Sequence, residues 1–470
     1  MGKKKSKEPK FYENLHIVAA GSEGKSIARP EGMVVMLDYA VPGDIVNARV
    51  IQSKRRFEIA TITEVVTPSE DRVPTFCEHF GTCGGCKWQQ MSYESQLRYK
   101  QQQVLDSFER IGKFPFPPME PILGSAQTTH YRNKVEFSFT DRKWLTHATD
   151  IGTLSKAENA GLGYHIPGRF DKVFDMFTCH LMAPLNDAIR NSVRDFCLEH
   201  DYDFFNLYGQ TGFMRNMTLR NNMRGEWMLI VSFGHEDKEK REALLAHLHK
   251  NFPEIKALLY VINEKRNDTI FDLDIQVFAG DDFLIEELED LKFKIGPKSF
   301  FQTNAYQTIE LYKKAREFAA LTGEELVYDL YTGVGTIALF VSKMAKKVVG
   351  IEYVEQAIED AKKNAALNNI THTDFFAGDM KDLLTAEFMD LHGRPDVVIT
   401  DPPRAGMHED VIAQLLQVRP KRIVYVSCNP ATQARDIALL TDVYEVKKVQ
   451  PVDMFPHTHH VENIALLELK

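Results

Sequence analysis

From about residue 291 to the end, short apolar runs alternate with amphipathic stretches of helical length, and no other feature limits the fold so tightly. The runs at 326–331, 348–352, 396–400 and 422–427 are too short for buried helices and read as strands. Stretches such as 355–368 and 408–418 lie between them with helical spacing. This alternation predicts α/β architecture over 291–470, a mostly parallel sheet with helices on both faces. Ligands of such sheets sit outside the carboxyl ends of the strands, so those ends are where chemistry is expected.

The remaining 290 residues exceed one domain, and a length of 470 gives a prior of about three. Over 11–71, short alternating runs are broken by turns at Pro42-Gly43-Asp44 and after Thr67, which suggests a small closed β-barrel. Residues 72–92 are rich in cysteine and glycine. Residues 93–112 read as a helix with Leu97, Val104, Leu105, Phe108 and Ile111 on one face and Gly112 as its stop. After the linker Phe114-Pro-Phe-Pro-Pro118, mixed patterns to about 290 give a middle α+β domain of 93–290. Residues 1–10 carry five lysines against one glutamate and are expected to be a basic, disordered tail.

The balance of 57 Lys+Arg against 66 Asp+Glu gives −9, so any nucleic-acid affinity must come from local patches. No uncharged apolar run approaches the roughly 18 residues of a membrane helix. The lysine-rich start lacks the apolar core of a secretory signal. Six cysteines in 470 residues are too few for a disulfide scaffold. A cytoplasmic, multidomain protein without membrane contact or an evident obligate protein partner is expected.

Asp329-Leu-Tyr-Thr-Gly-Val-Gly335 follows the first strand of the α/β region and opens a helix. Two glycines let the backbone turn sharply and approach a ligand, although a tight structural turn uses the same pattern. The second strand ends at Glu352, about 20 residues on, where an acid bonds a ribose diol. The third glycine of a dinucleotide fingerprint is missing. That favours an adenosine ligand without a pyrophosphate, S-adenosylmethionine, over NAD. Asp379 closes the next strand and is either an adenine-facing acid or an exposed loop acid. Asp401-Pro-Pro-Arg404 ends the fourth strand, its prolines stiffening the loop. Acid-Pro-Pro-aromatic loops act on exocyclic amines, and Arg404 here replaces the aromatic.

Val424-Tyr-Val-Ser-Cys428-Asn-Pro430 places a cysteine between a strand tip and a helix start. A helix N-terminus favours the nucleophilic thiolate; a buried cysteine can equally be a small hydrophobe. Its position beside Asp401 and a methyl donor favours the nucleophile. C5 of a pyrimidine is too poor a nucleophile to take a methyl unaided, and thiolate addition at C6 makes it an enolate carbon. A base must then remove the C5 proton, and Glu462 in His459-His-Val-Glu-Asn463 is the candidate. The neighbouring histidines His457, His459 and His460 are poorly spaced for zinc.

Cys77-x5-Cys83-Gly-Gly-Cys86 offers three thiolates on a glycine-rich loop, with Cys179 or Cys197 as a fourth. Such a set binds zinc or an iron–sulfur cluster, and its spacing differs from that of radical enzymes.

Taken together, Cys77…Cys83-Gly-Gly-Cys86, Asp401-Pro-Pro-Arg404, Ser427-Cys-Asn-Pro430 and His460-Val-Glu462 resemble the RNA 5-methyluridine methyltransferases with an N-terminal TRAM barrel and a [4Fe–4S] cluster, closest to the bacterial 23S rRNA (uracil-5-)-methyltransferases. The resemblance covers nearly the whole chain. It implies a class I S-adenosylmethionine-dependent methyltransferase domain at 291–470 and cluster ligands Cys77, Cys83, Cys86 and Cys179, with Cys197 structural. Cofactor contacts are implied from Gln302, Tyr331, Thr336, Glu352, Asp379 and Asp401, with Cys428 as nucleophile and Glu462 as base. The family often has Cys at 332 and Asn at 336, where this chain has Thr332 and Thr336. Residues 11–71 resemble the TRAM barrel, which binds RNA; Lys54, Arg55 and Arg56 are its best phosphate contacts, or a solvated turn. Tyr131-Arg-Asn-Lys134 resembles a stretch near the RNA cleft, which implies Arg132 and Lys134 as RNA contacts. The target uridine must leave any stack to reach the thiol.

Three rivals remain: a non-catalytic RNA-binding or ribosome-assembly protein, an amine methyltransferase using Asp401-Pro-Pro, and the same uracil chemistry on transfer RNA. Transfer-RNA members of the family mostly lack barrel and cluster, so 23S rRNA is the expected substrate.

Overall fold

The computed structural model describes residues 9–146 and 154–470; most of the expected basic tail, residues 1–8, lies outside them. Five strands, β1 (Phe11–Ala20), β2 (Ser26–Ala28), β3 (Val34–Leu37), β4 (Ile45–Ser53) and β5 (Phe57–Thr67), close into a barrel in the order β1-β2-β3-β5-β4. Alternation puts Leu15, Ile17, Val35, Leu37, Val46 and Ala48 inside it. The turn at Gly43 (φ +96°) needs a residue free of Cβ, since a side chain there would strike Ser69.

Helix α1 (Tyr93–Ser107) is capped by Ser92, whose side chain accepts from the Ser95 amide, and runs into a π-helical turn over 108–112. Its buried side differs from the expected apolar stripe. Ser95, Gln96, Lys100 and Val104 are inside, whereas Ile111 is exposed. The reason is that polar groups at 96 and 100 find partners elsewhere in the chain, described below. The left-handed cap is Lys113 (φ +55°), not Gly112; a Cβ on Gly112 would lie 2.5 Å from the Phe114 ring.

The middle region is a seven-stranded sheet. Its strands are β6 (Lys134–Thr140), β7 (Gly161–Ile166), β8 (Arg169–Asp175), β9 (Met214–Asn221), β10 (Trp227–Phe233), β11 (Ile255–Ile262) and β12 (Gln276–Gly280). They lie in the order β12-β11-β10-β9-β6-β7-β8. Helices α2 (Lys156–Asn159), α3 (Leu185–Glu199) and α4 (Lys238–Asn251) accompany it. A hairpin of β13 (Leu284–Leu288) and β14 (Leu291–Ile295) leads to α5 (Ala305–Ala319).

The C-terminal sheet contains β15 (Leu326–Leu330), β16 (Lys347–Glu352), β17 (Thr373–Ala377), β18 (Val397–Thr400), β19 (Arg422–Ser427), β20 (Tyr444–Val452) and β21 (Glu462–Leu469). Its order is β17-β16-β15-β18-β19-β21-β20, parallel as far as β19, with β21 antiparallel to both neighbours. Helices α6 (Thr336–Ser342), α7 (Glu355–Leu367), α8 (Met380–Leu383), α9 (Ala386–His392), α10 (Glu409–Val418) and α11 (Pro430–Leu440) connect the strands. Apolar clusters cover the two faces of this sheet, one with Val397 and Ile399, the other with Val398. Each of these three side chains is 0% exposed, and burial of each contributes about 1.5–3 kcal/mol. The α/β architecture read from the alternation is therefore observed, and the four expected strands are β15, β16, β18 and β19.

Candidate active site and cysteine cluster

The carboxyl edge of the parallel strands gathers the acids. After β15 the chain turns at Tyr331 (φ +63°), Gly333 (φ +55°) and Gly335 (φ +82°) into α6. Asp329 folds this turn, its Oδ2 accepting from the Thr332 hydroxyl at 2.5 Å and the Ala338 amide at 2.9 Å. Its other oxygen is buried without a partner, and burial, with Asp401 and Glu352 nearby, pushes its carboxyl up to about 7. At the end of β16, Glu352 accepts from the amides of Gly333 (3.2 Å) and Val354 (3.0 Å). Thr336 shares a 3.1 Å hydrogen bond with the Tyr312 hydroxyl. The Gln302 carbonyl accepts from the Asn133 side chain at 3.2 Å, tying this segment to the middle region. Asp379 caps α8 through the Lys381 amide and pairs with the Lys381 ammonium at 3.3 Å, so its carboxylate is already engaged locally.

Ser427 pairs with Asn463 across β19 and β21, so Cys428, just past the end of β19, and Glu462, the first residue of β21, both adjoin that pair. The loop after β18 is pinned beside them: the Arg404 carbonyl accepts from the Asn429 amide side chain (3.0 Å) and the Thr432 hydroxyl (3.2 Å). The Arg404 guanidinium lies near enough to Cys428 to hold its thiol pKa down. Glu462 is 5% exposed. Burial first, then Asp401, pushes its carboxyl up to about 8, while Arg404 opposes the shift. Asp401 is pushed to about 7 by desolvation.

The expectation that the helix N-terminus lowers the Cys428 pKa is corrected here. Asn429 caps α11, its side chain accepting from the Ala431 amide, and burial together with Glu462 and Asp401 pushes the thiol up to about 11. Only Arg404 pulls it back. Burial, reinforced by the two carboxylates, outweighs a helix dipole that falls off within one turn.

Cys77, Cys83, Cys86 and Cys179 converge. Burial raises all four thiols, and each of the first three is raised further by the charge of its neighbours, Cys83 to about 11 and Cys86 to about 12. Cys197 stands apart in the core of the middle region, 0% exposed. Gly84 lies so close to Pro167 that a Cβ would sit 2.2 Å from its ring, which accounts for a glycine there. Among the described residues, the ligand atoms of one triad, Cys77, Glu78 and His180, lie within 4.8 Å of one another, and no three of the four sulfurs do. Tetrahedral zinc with bonds of about 2.3 Å needs sulfurs roughly 3.8 Å apart.

Lys54, Arg55 and Arg56 form the exposed tip between β4 and β5. Arg132 is half-buried, its Nε donating to the Lys134 carbonyl at 2.9 Å. Lys134 lies cross-strand from Arg220, and burial followed by that guanidinium pushes its ammonium down to about 8. Sequence reasoning missed Arg404 as a partner of Cys428, having weighed it only as a replaced aromatic. It also missed Gln96 and Lys100, polar residues on the buried side of a helix. An i, i+4 polar pair on that face was the available signal.

These features define a methyltransferase-type α/β fold with a thiol and a carboxylate at one strand edge. Residues 238–470 match the family model of tRNA (Uracil-5-)-methyltransferase. A protein of Bacteroides thetaiotaomicron described as an RNA methyltransferase is 55% identical over 453 residues, covering 96% of this chain and 100% of its own. One of Chlorobaculum tepidum is 40% identical over 444 residues, covering 93% and 92%. The chain belongs to the RNA (uracil-5-)-methyltransferase family. It is similar to the crystal structure of the Pyrococcus abyssi tRNA (uracil-54, C5)-methyltransferase in complex with S-adenosyl-L-homocysteine, with a TM-score of 0.74 and 27% identity over 96% of this chain and 100% of that one. A transfer-RNA enzyme thus matches at a length that takes in the barrel, so the barrel no longer argues for ribosomal RNA. Among the described residues no helix is long and apolar enough to cross a membrane.

Proposed function

We propose that the protein methylates C5 of a uridine in RNA, with S-adenosylmethionine as donor and Cys428 as a transient covalent nucleophile. The observation that carries this is the convergence of Cys428, Arg404, Asp401 and Glu462 at one sheet edge. An amine methyltransferase has no use for the thiol.

The glycine turn, Glu352 and the orphaned oxygen of Asp329 fit an adenosine ligand carrying a cationic sulfonium, since buried carboxylates here lack a counter-charge. When bound, S-adenosylmethionine supplies the methyl group. Arg404 stabilises the Cys428 thiolate, which adds to C6 and loads electrons onto C5. After transfer Glu462 takes the C5 proton; the C–H pair becomes the C5–C6 double bond, and the C6–S pair returns to sulfur. A carboxyl poised near 8 is a stronger base than an ordinary glutamate once ionised.

Cys77, Cys83, Cys86 and Cys179 are the proposed holders of a [4Fe–4S] cluster. The barrel, through Lys54, Arg55 and Arg56, and the strand stretch with Arg132 and Lys134 are the proposed RNA contacts, and Gln302, Tyr331, Thr336, Asp379 and Asp401 the further cofactor contacts. The 23S rRNA rests on the sequence resemblance. Transfer RNA is the second reading, favoured by the likeness to the Pyrococcus abyssi enzyme.

Denaturing electrophoresis after incubation with S-adenosylmethionine and 5-fluorouridine RNA tests the proposal. Fluorine at C5 cannot leave as a proton, so a methylated protein–RNA band is expected, absent in Cys428→Ala. Bands on 23S rRNA or on tRNA transcripts assign the substrate. Methyl transfer without any band sinks the Cys428 route.

A further inference from the structure

The loop that delivers Glu462 runs from β20 to β21, yet its fixings come from another part of the chain. Asp453 is fully buried against Lys100 of α1 at 2.5 Å, and accepts from the Tyr93 hydroxyl at 3.0 Å. The Lys100 ammonium also donates to the Phe455 carbonyl at 3.0 Å. The Tyr131 hydroxyl donates to the Pro456 carbonyl at 2.9 Å. The amides of Lys87 and Trp88, which directly follow Cys86, both donate to the His457 carbonyl, at 2.9 and 3.0 Å.

Gln96 closes this arrangement. Its Oε1 accepts from the His457 amide at 2.8 Å. Its Nε2 donates to the carbonyls of Trp88 (3.0 Å) and Met91 (2.9 Å) and lies 3.2 Å from the His457 ring nitrogen. The residue is 0% exposed. Tyr131 meanwhile packs with Cys86 and Leu181, and Phe455 joins them. One buried amide and one phenol therefore join the end of the cysteine loop to the start of the segment that carries the base.

We propose that Gln96 and Tyr131 are positioning residues for removal of the C5 proton, holding the base-bearing loop in register with the thiol. The inference rests on the roles given above to Cys428 and Glu462. The tip of β19 is held by other bonds, from Asn429 and Thr432 to the Arg404 carbonyl. Loosening the clamp thus disturbs the segment leading into Glu462, which the sheet holds only from Glu462 onward, more than it disturbs Cys428. Thiol addition and methyl transfer proceed. The last step slows, because a misplacement of about 1 Å costs roughly a hundredfold in rate. The enzyme is then caught on its methylated RNA, with sulfur still bonded to C6.

The test uses the full-length protein, purified without oxygen, with methyl-tritiated S-adenosylmethionine and ordinary-uridine transcripts of 23S rRNA and of tRNA. Gln96→Ala and Tyr131→Phe are compared with the natural protein; Tyr131→Phe keeps the ring and removes one hydrogen bond. Both variants are expected to accumulate a tritiated covalent band at least about tenfold above the natural protein. Their kcat should fall up to about a hundredfold with KM for S-adenosylmethionine within about twofold. A fall in turnover without the band, a band lacking tritium, or unchanged turnover in both variants overturns the proposal. The natural protein on 5-fluorouridine RNA is the separating control. If it gives no band, the Cys428 reading itself fails; if it does while neither variant traps ordinary RNA, only the clamp fails.

Discussion

Cys428 and Glu462 each adjoin the Ser427–Asn463 pair, Cys428 just past the end of β19 and Glu462 as the first residue of β21. Glu462 adds to the upward shift of the Cys428 thiol, and the Arg404 guanidinium opposes the upward shift of both groups. In the proposed reaction the two charges are needed at different times, the thiolate first and the carboxylate last.

Replacing Glu462 by glutamine should leave addition and methyl transfer intact and stop release. A methyl-labelled covalent complex on ordinary RNA, resolved on a denaturing gel, is the expected outcome. Free methylated RNA produced at the natural rate would remove Glu462 from the role of base.

The same substitution should stabilise the protein in a pH-dependent way. The folded carboxyl ionises near 8 and its ordinary value is 4.5. Between these values the unfolded chain has lost the proton and the folded one keeps it, so stability falls as pH rises through the window. The slope is at most about 1.4 kcal/mol per pH unit. Glu462→Gln should therefore melt above the natural protein at pH 8 and close to it at pH 4.5, as calorimetry of the ligand-free forms would show.

Removing the Arg404 cation should push the Cys428 thiol further up. Alkylation by iodoacetamide, followed by mass spectrometry across a pH series, should be slower in Arg404→Ala at neutral pH, by about tenfold for each unit of pKa gained. Arg404→Lys should recover part of the rate as a point charge without the planar fork. Equal alkylation rates in all three would show that the guanidinium does not activate the sulfur.

Serine at 77, 83, 86 or 179 should each deplete iron and acid-labile sulfide in anaerobically purified protein, whereas Cys197→Ser should keep both. Stoichiometric zinc in place of iron would contradict the spacing argument.

Alanine at Lys54, Arg55 and Arg56 should weaken RNA binding most at low salt. Loss of one phosphate contact lowers the salt slope by roughly 0.7–0.9. Turnover at saturating RNA should hold, because the barrel tip is remote in sequence from every group at the reacting edge. An unchanged slope would leave the tip a solvated turn.

The C-terminal α/β order was legible because strand and helix periods alternate cleanly there, and the strand ends located Glu352, Asp401, Cys428 and Glu462 with no tertiary information. Helix α1 was legible over 93–112 but its full buried side was not, because hydrophobic periodicity assumes that polar residues face water. Lys100 and Gln96 break that assumption, their partners lying more than 350 residues away. The Cys428 pKa was misjudged for a related reason. A helix start is visible in sequence, whereas the burial that does most to raise the thiol belongs to the folded chain.

The buried Lys100–Asp453 pair also sets the order in which this molecule can mature. The lysine leaves the ribosome 353 residues before its aspartate, a gap of roughly 20 to 70 s at ordinary elongation rates. Until Asp453 and β21 are made, α1 has no counter-ion for its inward charge and the reactive edge has no base. On the role proposed for Glu462, a nascent chain held beside abundant ribosomal and transfer RNA therefore cannot complete a cycle of methylation and release until β21 has been synthesised.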